Sequence, residues 1–233
     1  MTASVGAPGG KRLVVSLETS ARPASIAALG STGAVEARTL LEDRRHASDL
    51  LGELGELVGR AGGSPADLDL VVAGVGPGSY TGLRVGAATA LGLMRGAGAT
   101  VMGVPSFDGI AMDGLEDGER GAVLRNAFGG HLYVGVYERR GEDVAALLSP
   151  ACLSPTDALE AVEGIPVVMA DAASMGAIGA EVSAGRSMRP DASPRAETLL
   201  QLALHRLERG ARTGPDTLKP LYLRPFDAKV RRR

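Results

Sequence analysis

Twice along this chain, three short strand-like runs joined by tight turns precede a helix, a strand and a second helix. That repeated order constrains the fold more than any single motif. In the first half the runs are "RLVVSLETS", "PASIAALG" and "GAVEARTLL", the last two separated by a turn at Gly30–Gly33. The helix "HASDLLGELGELVGRAGG" follows, with Leu50, Leu51, Leu54, Leu57 and Val58 forming an apolar stripe. "LDLVVAGV" is continuously apolar, as in a strand covered on both faces. A glycine-rich helix and the strand "ATVMGV" complete the half.

In the second half, "AVLRNAF", "HLYVGVYERR" and "DVAALLS" are the three runs. "SPTDALEAVEG" is a helix with Ser154 at its cap, "IPVVMAD" a strand, and "SPRAETLLQLALHRLERG" a helix. A three-strand meander beside strands reached through helices makes a mixed sheet. The expectation is α/β, with two mixed-sheet domains at residues 11–115 and 116–233, the second carrying the final helix and a basic tail.

Composition narrows the function classes. The 233 residues are 45% hydrophobic and carry a net charge of −2, so no strong field draws the chain to nucleic acid or to a membrane surface. Aromatics make up 3%, too few for a surface that stacks bases one after another. The single cysteine, Cys152, excludes an internal disulfide and a thiolate zinc cluster, and is expected in the core. No signal-like or membrane-spanning apolar run occurs in the sequence, and a cytoplasmic location is expected.

The stretch "VVAGVGPGSYTGLRVGAATALGL", Val71 to Leu93, poses the functional question. No lysine follows its glycines as in a Walker loop, and its spacing is not that of a dinucleotide fingerprint. Gly74, Gly76, Pro77 and Gly78 form a rigid turn, with Ser79 or Thr81 placed to cap the helix. Within that helix Gly82, Gly86 and Ala90 fall four residues apart. Each interior glycine costs roughly 1 kcal/mol relative to alanine, so the ridge requires a packing explanation. Packing inside the chain and packing against a second chain are both open.

The segment "GVGPGSYTGLRVGAATALGL", the helix opening "HASDLL" and the late "KPLYLR" together resemble the bacterial TsaB family, and the duplicated order resembles the actin-like fold of sugar kinases and heat-shock ATPases. The resemblance implies a non-catalytic subunit in making threonylcarbamoyladenosine at adenosine 37 of tRNA. It implies pairing through the N-terminal helices with a TsaD-type transferase, joined by a TsaE-type ATPase, with tRNA met through the complex. The isolated protein is then expected to form a homodimer. The interface is expected at His46, Leu50, Leu54, Tyr80, Gly82, Arg84, Gly86 and Ala90. No catalytic residue, metal site or cofactor of its own is implied, and ATP or ADP with Mg²⁺ enters only at the interface of the complex.

Departures from the family pattern bear on the rival readings. The catalytic paralogue holds a metal through two histidines four apart on a helix; here His46 is followed four residues on by Leu50. His46, Asp49 and Glu53 share a helix face, read chiefly as a solvated polar stripe. "ETSARPAS" lies where superfamily members hold phosphate, so Glu18, Thr19, Ser20, Gly76 and Gly78 are candidates for nucleotide binding. An ordinary polar turn is equally open there. The family usually carries aspartate in place of Glu18 and Asp-Ala-Arg in place of Asn126, Ala127 and Phe128. These departures weigh against a stand-alone phosphotransferase or carbamoyltransferase. A peptidase reading has no His-Glu-x-x-His helix to support it.

Overall fold

The computed structural model of the protein describes residues 12–224, apart from 32, 41–46, 128, 172, 173, 177–181, 183 and 191. Strands β1 (Val14–Glu18), β2 (Ser25–Leu29) and β3 (Val35–Thr39) form the first meander. Helix α1 (Ala47–Arg60) leads to β4 (Leu70–Gly74), and α2 (Tyr80–Ala97) leads to β5 (Thr100–Val104). The sheet runs β3-β2-β1-β4-β5, with β1 antiparallel to β2 and parallel to β4. Every residue of β1 and β4 is buried, in keeping with their central places and largely apolar sequences, with Ser16 and Glu18 the buried polar residues of β1.

Helix α3 (Ser106–Gly114) crosses to the second half, where β6 (Arg120–Asn126), β7 (Leu132–Arg140) and β8 (Asp143–Leu153) form another meander. Helix α4 (Pro155–Ala161), β9 (Val167–Ala170), β10 (Ser187–Arg189) and α5 (Ala196–Glu208) follow. This sheet runs β8-β7-β6-β9-β10, the first order repeated. Two five-stranded mixed sheets of one topology make the duplicated actin-like fold. The three-residue strand β10 is mostly polar and carries no apolar signal in the sequence. Cys152, expected in the core, is only half-buried on β8, an edge strand.

The closing helices are exchanged between the halves. Phe107, Ile110 and Ala111 of α3 pack with Val123, Tyr137 and Met169 of the second sheet. Ala196, Leu199, Leu200 and Ala203 of α5 pack with Val14, Val72 and Val104 of the first. Sequence order groups α5 with the second half, but its apolar face is buried by the first. Ser25 of β2 accepts a hydrogen bond from the Ala196 N–H at 2.9 Å, fixing where α5 begins. The two helices meet at Gly109, where a Cβ would press on Leu199. The chain end also returns to the first sheet, as Gly214 N–H bonds the Val101 carbonyl (2.7 Å) and Leu221 N–H the Val75 carbonyl (2.8 Å). Helices α1 and α2 cover the opposite face of the first sheet, burying Leu50, Leu54, Leu57, Val58 and Ala90 with Val15, Leu17 and Val71.

Candidate functional site

The carboxyl end of β1 meets the turn between β4 and α2, and the candidate nucleotide residues gather there. Glu18 is 1% exposed, and Thr19 and Ser20 are also buried. The Glu18 carboxylate accepts the Ser20 N–H on Oε1 at 2.6 Å and the Ser106 hydroxyl on Oε2 at 2.7 Å. Ser106, the first residue of α3, accepts in turn from the Ser20 hydroxyl (3.0 Å) and the Gly76 N–H (3.1 Å). Burial pushes the Glu18 carboxyl above its ordinary range, opposed by these hydrogen bonds and by the field of Arg125.

The glycines of the turn are close-approach positions. A Cβ on Gly74 would collide with Glu18 Oε2, and one on Gly78 with the Ser20 carbonyl. Gly76, before the cis Pro77, has φ +95°, where a side chain is strained. Ser79 N–H donates to the Ser20 carbonyl (2.7 Å), stacking the two loops, and Ser79 Oγ caps α2 by accepting from Gly82 N–H (3.2 Å).

The matching end of the second sheet is tied differently. Arg125 of β6 pairs with Asp171 after β9 (2.9 Å) and donates to the Ala192 carbonyl (2.6 Å). Asn126 N–H donates to Ser174 Oγ (2.8 Å), whose own N–H reaches Asp171 (2.7 Å). An acidic residue therefore stands near this end although position 126 is asparagine; Phe128 lies outside the described residues. A separate cavity of about 470 Å³ lies between the halves and is lined by Pro23, Ile110, Asp113, Met169, Arg189 and Arg195, among others. Its arginines face carboxylates, Arg189 at Glu119 (3.1 Å) and Arg195 at Asp113 (2.9 Å).

The residues expected at a partner interface divide into three groups. Leu50 and Leu54 are buried in the chain's own core. The ridge of Gly82, Gly86 and Ala90 also turns inward, which corrects the face assigned to it. A Cβ on Gly82 would collide with the Thr19 carbonyl and one on Gly86 with Thr19 Oγ1, while Ala90 is fully buried. Close packing of α2 on the β1–β2 turn accounts for that ridge. His46 lies outside the described residues.

Tyr80 and Arg84 do reach the surface. Arg84 donates to the Tyr80 hydroxyl (3.1 Å) and sits 5.3 Å from its ring centroid, and the Tyr80 ring packs on Tyr222 with centroids 4.8 Å apart. Below them the outward stripe of α2 is Thr81, Arg84, Ala88, Gly92 and Arg95. On α1 the outward residues are Leu51, half-exposed at 50%, Gly52, Glu56, Gly59 and Arg60, with Gly55 beside them; a Cβ at any of these glycines would meet open space. The α1 glycines were visible in the sequence only as interruptions of a leucine stripe. Ser106 gave no signal of its role, and Tyr222 was visible only within the late "KPLYLR". Among the described residues, no three His, Cys, Asp or Glu side chains converge as a metal site requires, and no helix is long and apolar enough to cross a membrane.

Comparison with known proteins places these features. A TsaD family model, described as tRNA N6-adenosine threonylcarbamoyltransferase, matches residues 40–202. The tRNA threonylcarbamoyladenosine biosynthesis protein TsaB of Escherichia coli is 30% identical over 145 residues, a match covering 59% of this chain and 62% of that protein. TsaB of Haemophilus influenzae is 31% identical over 103 residues, covering 44% of this chain and 43% of its own. The chain thus spans less than two thirds of these curated relatives. Among solved structures, YeaZ from Pseudomonas aeruginosa superposes with a TM-score of 0.74 at 25% identity, over 90% of this chain and 100% of that one.

Proposed function

This chain belongs to the TsaD family and groups with its TsaB members, and we propose that it is a non-catalytic scaffold in threonylcarbamoyladenosine synthesis on tRNA. In this reading it works in the cytoplasm, pairs with a TsaD-type transferase through the outer faces of α1 and α2, and is joined by a TsaE-type ATPase. The homodimer is the alternative use of the same faces when the partner is absent.

One observation carries the reading: two adjacent helices present an outward surface on which Gly52, Gly55, Gly59, Ala88 and Gly92 and the half-exposed Leu51 lie between the charged Glu56, Arg60, Arg84 and Arg95. Bare glycine positions let a second pair of helices approach closely, and an exposed leucine gains by being covered. The Tyr80, Tyr222 and Arg84 cluster at the α2 end supplies residue types that anchor protein interfaces. The buried Glu18 supports a silent role for this chain, because its carboxylate is already engaged by the chain's own donors.

The test is co-purification with the TsaD-type protein of the same organism, comparing wild type with Leu51→Glu. The wild type is expected to form a stable complex that supports the tRNA modification, and the variant to lose both while keeping its melting temperature. Absence of association, even with the TsaE-type protein and ATP present, would overturn the reading.

A further inference from the structure

Charge is unevenly spread over the outer faces of α1 and α2. Helix α2 holds no acidic residue along its length, and its outward stripe carries Arg84 and Arg95. Arg60, in the last turn of α1, is exposed as well. Among the described residues, none of the three has a carboxylate within ion-pair distance. The acids among the described side chains of α1 are already committed: Glu53 and Glu56 both pair with Arg38 of β3, on the edge of the sheet opposite β5. Arg60 and Arg95 stand where a cation complements the carbonyl end of its own helix. Arg84 has no such local reason. It follows a first turn without an acid, near the positive end of α2, and is held there by the Tyr80 hydroxyl (3.1 Å) and ring. A fixed, exposed guanidinium that gains nothing from its own helix is available to a partner's carboxylate.

We infer that this face selects an acidic protein surface, a helix pair whose exposed carboxylates meet Arg60, Arg84 and Arg95, over a second copy of this chain. Two copies would bring unpaired arginines together from both sides, with only Glu56 to offset them, and like charges across an interface are unfavourable. A nucleic acid would gain from the arginines but not from Leu51 or the bare glycines, which suit close contact with helices. The inference rests on the docking proposal and names the chemistry of the surface that fits it.

The experiment is analytical ultracentrifugation of wild type and Arg84→Glu, each alone, with the TsaD-type protein and with tRNA, at low and high sodium chloride. Partner affinity is expected to fall about tenfold between about 0.05 M and about 0.5 M salt, as screening removes the attraction. Self-association of the isolated wild type should strengthen over the same range. At low salt Arg84→Glu should bind the partner about tenfold more weakly without a lower melting temperature, because glutamate suits the amino end of a helix. A partner complex indifferent to both salt and the substitution would overturn the inference and leave the docking proposal standing. Wild-type self-association tighter at low salt than at high would overturn it in favour of a second copy. Binding of bare tRNA by the isolated chain, lost in Arg84→Glu, would assign the face to nucleic acid and overturn it as well. With no partner complex at all, the docking proposal fails and this inference with it.

Discussion

Thr19 donates its hydroxyl hydrogen to the Gly82 carbonyl at 2.8 Å, and the same residue's main-chain carbonyl fills the space where a Gly82 side chain would stand. Helix α2 is thereby seated on the turn after β1, and the loops around Glu18 are held at backbone contact. The glycines of α2 thus differ in function by face.

Gly82→Ala should destabilise the protein, because the obstructing atom is backbone and cannot swing aside. Overpacking of this kind costs about 1–3 kcal/mol, offset in part by the ~1 kcal/mol that alanine gains in a helix interior. Gly92→Ala meets open space and keeps only the gain, so its melting temperature should rise by about 2–4 °C. Thermal melts of the two variants decide it. Equal effects at both positions would show that Gly82 is not packed as described.

Adjacent leucines of α1 should separate folding from docking. Leu54 is 1% exposed, so Leu54→Ala should cost about 2–5 kcal/mol in urea unfolding. Leu51 is half-exposed, and Leu51→Ala should change stability by less than about 0.5 kcal/mol. Loss of the TsaD-type partner by Leu51→Glu at unchanged stability would assign that face to docking. A comparable loss of stability would place Leu51 in the fold instead.

The elements that the sequence made legible are those whose burial is local. β4 is apolar throughout, and β1 is so apart from Ser16 and Glu18, because helices cover both faces, and α1 shows its stripe because one face is wet. β10 was invisible, since Ser187, Met188 and Arg189 form a strand only by pairing with Val167–Met169. Spacing placed Gly82, Gly86 and Ala90 on one face of α2 but not which way that face turns. Direction depends on Thr19, brought there by the β1–β2 turn. Glu18 was recognisable as the end of a strand, but its contact with Ser106 joins residues 88 apart. The exchange of α3 and α5 is likewise a matter of tertiary path, which periodicity does not encode.

Glu18→Gln should gain stability relative to the wild type as pH rises. Burial holds the Glu18 carboxyl above its ordinary value of 4.5, so the folded state binds its proton more tightly than the unfolded chain does. Its contribution to stability is fully present below that value and is lost as pH rises through the folded value. Glutamine keeps an oxygen for the Ser20 N–H and has no charge to desolvate. Its NH₂, however, faces Ser106 Oγ, which already accepts from Ser20 Oγ and the Gly76 N–H and loses its acceptor, a cost that does not vary with pH. The difference in melting temperature between variant and wild type should therefore widen from pH 5 to pH 8. Asp108, also shifted upward by burial, is common to both proteins and cancels. A difference that stays constant with pH would mean the carboxyl does not titrate in this range.

Arg206 should prove the main electrostatic tie between the last helix and the second half. From α5 its Nη2 lies 2.8 Å from Asp108 Oδ2 on α3 and 2.7 Å from Asp143 Oδ1 at the start of β8. Both Arg206 and Asp108 are largely buried, so Arg206→Met keeps the aliphatic packing but leaves Asp108 without its cation. Removing one partner of such a pair typically costs about 3–5 kcal/mol, and the partial exposure of Asp143 favours the lower end. Burial already raises the Asp108 carboxyl, and losing Arg206 raises it further, so the penalty should shrink at low pH, where the group folds neutral. Urea unfolding at pH 5 and pH 8 measures this: the loss should be larger at pH 8. Arg206→Met/Asp108→Asn should recover most of it, because the orphaned charge, more than the missing contact, accounts for the cost. A double variant no better than the single one would assign the loss to packing of α5 instead.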